Sequence, residues 1–118
     1  MKTILFYSKD FNLCLSLLVY LQNKFNVITT TDFNLLESIA SSTNPNLLFL
    51  DADLNPKIEK FCENFSTQNV DIPIIITYVY KSTIKAIDSK IRENVSSVFY
   101  KPYDLDEISE KVSSLLTS

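Results

Sequence analysis

Five short runs of β-branched, aromatic and leucine side chains alternate with five longer stretches of helical periodicity, and few architectures accept that alternation. Thr3–Tyr7, Val27–Thr30, Leu47–Leu50, Ile72–Thr77 and Ser97–Tyr100 have the length and composition of strands. Between them apolar residues recur at helical spacing. The first stripe is Leu13, Leu17, Leu18, Leu21 and Phe25, and the second Leu35, Leu36 and Ile39. Ile58, Phe61 and Phe65 form the third, Ile84, Ile87 and Ile91 the fourth, and Ile108, Val112, Leu115 and Leu116 the fifth.

End signals divide the chain at the same places. Asp32 is expected to cap the second helix, and Asn55 followed by Pro56 suits the cap and first turn of the third. Asp104 with Glu107 makes a capping-box-like start to the last helix. Asn94 follows the fourth stripe, where a left-handed residue is expected to stop the helix. Leu47–Leu50 and Ile72–Ile76 are apolar at every position, which suits strands of a parallel sheet covered on both faces. The pattern predicts an α/β fold over residues 1–118: a (βα)5 flavodoxin-like doubly wound sandwich with a five-stranded parallel sheet in order 2-1-3-4-5.

Composition removes several kinds of chemistry. The chain has no histidine, so a Ser-His-Asp triad, an imidazole metal ligand and a phosphohistidine are all excluded. It has no glycine, which excludes a P-loop and a G-x-G-x-x-G dinucleotide loop. A net charge of −3 with scattered lysines argues against direct nucleic-acid binding. No apolar run approaches the ~20 residues of a membrane span, and no cleavage site follows Met1–Tyr7, so a cytoplasmic chain without a membrane partner is expected. Cys14 and Cys62 fit neither a redox pair nor a zinc site and read as reduced, partly buried thiols.

In a doubly wound fold the site lies beyond the carboxyl ends of the strands. There stand Ser8, Lys9 and Asp10 after the first strand; Asp51, Ala52 and Asp53 after the third; Thr77 and Tyr78 after the fourth; Lys101 and Pro102 after the fifth. A carboxylate, a hydroxyl and a lysine converging there can accept a phosphoryl group: Asp as nucleophile, Lys and Thr meeting phosphoryl charge. Over its whole length the chain resembles the receiver domains of bacterial two-component response regulators. The likeness rests on Leu48–Leu54 (LFLDADL), Ile72–Thr77 (IPIIIT) and Phe99–Leu105 (FYKPYDL). It implies Asp51 as phosphoacceptor, Lys101 as the site lysine, Thr77 as the switch hydroxyl and Val98 at the switch-aromatic position. It also implies Mg²⁺ as cofactor, a histidine kinase or phosphotransfer protein as partner, an output partner on helix 4, strand 5 and helix 5, and no enzyme activity.

Three departures bear on those roles. The family holds Mg²⁺ with a pair of acidic residues after the first strand, and here Ser8 and Lys9 occupy that register. Asp10 stands one position late; it either joins Asp51 and the Asp53 carbonyl in a weakened metal site or caps the first helix. Family spacing from Pro73 puts the switch hydroxyl at Tyr78, whereas Thr77 requires a strand shorter by one residue; only one of these neighbours can face the site. Val98 replaces an aromatic. Asp51 is expected between Lys101 and, if its side chain turns inward, Lys9; the alternative sends the Lys9 ammonium into solvent. Two functions follow: a phosphorelay receiver, or a pseudo-receiver used as a phosphorylation-independent interaction module. A phosphocarrier or flavin protein on the same frame is disfavoured, because Ser8 stands where a carrier cysteine belongs and Lys9-Asp10-Phe11 supplies no phosphate loop. Ser118 follows the last helix directly, which suits a stand-alone regulator or an excised domain.

Overall fold

The inner strands come from the most continuously apolar runs. In the computed structural model, which describes residues 1–117, Thr3–Ser8 (β1), Asn26–Thr30 (β2), Leu47–Asp51 (β3), Ile74–Tyr78 (β4) and Ser97–Tyr100 (β5) form one parallel sheet in order β2-β1-β3-β4-β5. The three inner strands are buried almost throughout, as a sheet covered on both faces requires. Helices Phe11–Leu21 (α1), Leu36–Thr43 (α2), Pro56–Gln68 (α3) and Lys85–Ile91 (α4) make the four crossovers, and Leu105–Leu116 (α5) follows the last strand. One core, with Phe6, Phe49, Leu17 and Val112, lies under α1 and α5. The other, with Leu50, Ile76, Phe61 and Ile91, lies under α2, α3 and α4.

The start signals hold with one displacement. Asn55 caps α3 by accepting from the Ile58 N–H at 3.0 Å, with Pro56 in the first turn, and Asp104 caps α5 through the Asp106 N–H at 2.8 Å. Asp32 caps a 3₁₀ turn, Phe33–Leu35, that precedes α2, by accepting from the Asn34 N–H at 2.9 Å. Leu35 therefore sits in that turn, 48% exposed, and Leu36 alone is fully buried there. A second such turn, Ser82–Ile84, precedes α4.

Asn94 does not take the left-handed conformation expected of it. Its N–H and that of Glu93 bond back to Ile91 and Lys90, a tight turn that needs no positive φ. The left-handed residue is Asn44, with φ 47°, after α2. β4 starts at Ile74 and runs one residue past the expected end: Pro73 has no N–H for the ladder, and only its carbonyl serves the sheet, accepting from Leu48. Phe25 is buried but lies beyond the end of α1. Both cysteines are free and buried; burial pushes the Cys14 thiol up and the Cys62 thiol up to about 12. No helix among the described residues is long and apolar enough to cross a membrane.

Candidate functional site

Parallel registration builds the site. Ser8 pairs with Asp51 across β1 and β3, and Asp51 with Thr77 across β3 and β4, so the three side chains form one row at the carboxyl edge. Ser8 and Thr77 are fully buried and Asp51 is 8% exposed. The Ser8 hydroxyl donates to Asp51 Oδ2 at 2.7 Å, and the Thr77 hydroxyl to Oδ1 at 2.9 Å. Lys101, just past β5 at a cis Lys101–Pro102 peptide, brings Nζ to 3.1 Å from Oδ1. Two hydroxyls and an ammonium thus compensate a carboxylate that burial alone would disfavour.

The segment after β1 completes this arrangement. Asp10 is the N-cap of α1: its Oδ1 accepts from the Asn12 and Leu13 N–H groups at 3.0 and 3.2 Å. Its own N–H donates to Ser8 Oγ at 3.0 Å, which fixes the hydroxyl that faces Asp51. Lys9 is exposed and forms no ion pair with Asp51 among the described residues, so the inward alternative is not the one adopted. Asp53 is exposed. No group of three or more His, Cys, Asp or Glu side chains among the described residues is arranged to hold a metal ion. Asp51 opens onto a cleft of about 320 Å³ whose apolar wall is Tyr7, Phe33 and Ile58. Lys57 stands over the Phe33 ring at 5.0 Å. Burial first, and then the Asp51 charge, raise the Tyr7 pKa.

Thr77 and Tyr78 divide as strand neighbours must. Thr77 faces Asp51, while Tyr78 turns to the other side of the sheet and donates to Asp88 of α4. Asp88 is 7% exposed and also accepts from the Tyr100 hydroxyl, at 3.1 and 3.2 Å, and from Arg92 Nε at 3.4 Å. Arg92 in turn donates to Tyr100 at 2.7 Å. Burial pushes the Asp88 pKa up, but the hydrogen bonds from Tyr78, Tyr100 and Arg92 outweigh it and hold the group below its ordinary value. Val98 pairs with Ile76 and packs in the α3–α4 core, on the opposite face from Thr77.

Sequence reasoning placed Ser8 at the strand ends without giving it a role toward Asp51, and gave Tyr103 no role in the site. The Tyr103 hydroxyl is buried beside Thr77 without a partner in hydrogen-bond geometry among the described residues. Burial and the Asp51 charge push it up to about 12, against an opposing effect of Thr77. The role of Ser8 could have been found by aligning β1 with β3, since the residue level with Asp51 on β1 must face it.

No family model matches the sequence, and no curated protein is similar to it. Solved structures do match. The N-terminal signal receiver domain of a two-component response regulator from Bacteroides fragilis superposes with a TM-score of 0.84 at 21% identity, over 100% of this chain and 98% of that one. A response regulator from Thermotoga maritima gives 0.84 at 17% identity, over 100% and 99%. This is the receiver fold. The same fold appears in a redox-sensor family of the streptococci described as evolved from two-component response regulators, with a TM-score of 0.82 at 22% identity, over 98% of this chain and 51% of that one. Receiver architecture thus recurs here with the sheet order expected from the sequence, and with Thr77 and Lys101 both in contact with Asp51.

Proposed function

We propose that this protein is a receiver-type signalling module that acts by protein contact without being phosphorylated at Asp51. The observation that carries this reading is the Ser8 hydroxyl on Asp51 Oδ2, at the strand position where the family places metal-binding carboxylate. A hydroxyl there satisfies Asp51 without a cation, and Asp10 is committed to the α1 cap. The donor set does not fit Mg²⁺, which wants several hard, mostly anionic oxygens in octahedral array. Asp51 then works as an internal ionic anchor that ties β5, through Lys101, to β3. The partner surface in this reading is α4, β5 and α5, as in the family.

A second reading, Asp51 as phosphoacceptor from a histidine kinase or phosphotransfer protein, is favoured by the Lys101 contact and the open cleft. Asp51 would attack phosphorus as the donor's bond to phosphorus breaks, P–N in a phosphohistidine and P–O in acetyl phosphate, with Lys101 meeting the phosphoryl charge. Incubation with acetyl phosphate and Mg²⁺, read by intact mass, separates the two. The expected result is no adduct. A stoichiometric phosphate-sized adduct that disappears in Asp51→Asn would establish the second reading. As a companion test, Ser8→Asp with Lys9→Asp should create Mg²⁺ binding in titration calorimetry that the parent lacks.

A further inference from the structure

A neutral corner of the molecule lies far from Asp88. From Phe11 to Thr31 the only charged residue is Lys24, in a chain that is 21% charged overall. That segment folds into α1 and β2, and α1 packs across β1 and β2. β2 is a sheet edge: among the described residues it pairs only with β1. Its sequence, Asn-Val-Ile-Thr-Thr, contains none of the charges or prolines with which proteins usually blunt an exposed edge. Beside it, α1 exposes Phe11 (67%), Leu15 (48%) and Val19 (57%) at i, i+4 and i+8. On a helical wheel of about 100° per residue, Phe11, Leu15 and half-buried Leu18 lie on the flank opposite Tyr20. Tyr20 reaches α5 by bonding Asp106, so the apolar flank borders the free edge of β2.

We infer that this corner binds a second copy of the same chain, β2 against β2 antiparallel with the two α1 helices side by side. A twofold axis perpendicular to the sheet buries the strand edge and the apolar flank together, because both lie at one corner. It also leaves the acidic start of α5, Asp106 and Glu107, on the far side of each α1. The charges that bound β2 fit this pairing. Lys24, in the turn after α1, and Asp32, at the cap of the following 3₁₀ turn, flank the two ends of β2, so an antiparallel pair centred on Ile28 brings the Lys24 end of each copy to the Asp32 end of the other. Both residues are exposed. A five-residue edge plus one helix flank gives an interface at the small end of specific contacts, on the order of 1,000 Å² in total, so the dimer is weak and concentration-dependent.

Sedimentation velocity on the full chain, from micromolar to several hundred micromolar, tests this. The parent is expected to pass from monomer to dimer across that range. Leu15→Glu, at an already exposed position, should abolish the transition. Lys24→Asp should weaken it about tenfold by placing like charges opposite each other, and Lys24→Asp with Asp32→Lys should restore it. Thermal melts at low concentration report whether each variant folds, since Asp32 also caps a turn. A monomer at every concentration, or a dimer indifferent to Leu15→Glu or to the charge reversals, overturns the inference.

Discussion

Two aspartates of nearly equal burial, Asp51 at 8% and Asp88 at 7% exposed, are satisfied by the same inventory: two hydroxyls and one cation. They differ in what supplies it. Asp51 receives the short hydroxyls of Ser8 and Thr77 and faces a cleft, with a lysine that is 36% exposed. Asp88 receives two tyrosine hydroxyls whose rings stack edge to face, with centroids 5.7 Å apart, and an arginine that lies over one of them. The first arrangement leaves room for a guest or water beside the carboxylate. The second fills its surroundings with aromatic surface and binds α4 to the ends of β4 and β5. Burial therefore does not distinguish a site from a structural clasp; the size of the donors around the carboxylate does.

The largest effect that would break this comparison is in stability. Asp88→Ala strands the Tyr78 hydroxyl in the core and should cost about 3 kcal/mol in urea unfolding, the scale for removing one partner of a buried pair. Asp51→Ala leaves Ser8, Thr77 and Lys101 within reach of cleft water and should cost about 1 kcal/mol. Equal losses would erase the distinction. A smaller difference is expected in acid. The Asp88 pKa is depressed in the folded protein, so its contribution is complete above the unfolded value, near 3.8, and is lost as pH falls through the folded value. The parent should lose more stability than Asp88→Asn as pH falls from about 5 to 2. The smallest effect concerns Tyr103, whose buried hydroxyl has no partner in hydrogen-bond geometry among the described residues. Tyr103→Phe should be neutral or stabilising by up to about 1 kcal/mol, read as a raised melting temperature.

Much of this architecture is legible in the sequence because it is written in periodicity. Continuous apolar runs and helical stripes locate all five strands and all five helices, and Asn55-Pro56 and Asp104 mark helix starts within a residue. Asp51, Thr77 and Lys101 are legible because they stand at or just past the carboxyl ends of strands. Other features depend on the third dimension. Asp88 sits in an amphipathic helix, where a carboxylate is ordinarily solvated, and nothing local says that two tyrosines from different strands close over it. Ser8 becomes meaningful only when β1 and β3 are brought into register. Asn94 and Asn44 are equivalent by propensity; which one turns left-handed depends on whether its helix ends in a tight turn.

Every turn in this molecule is made without glycine, and only Asn44 among the described residues has a positive φ. The consequence falls on the unfolded chain. A sequence of ordinary composition would carry about eight glycines at this length, each widening the unfolded ensemble by several tenths of a kcal/mol or more relative to alanine. Lacking them, this chain gives up less backbone freedom on folding, so part of its stability arises from a narrower disordered state and is not visible in any contact of the native fold.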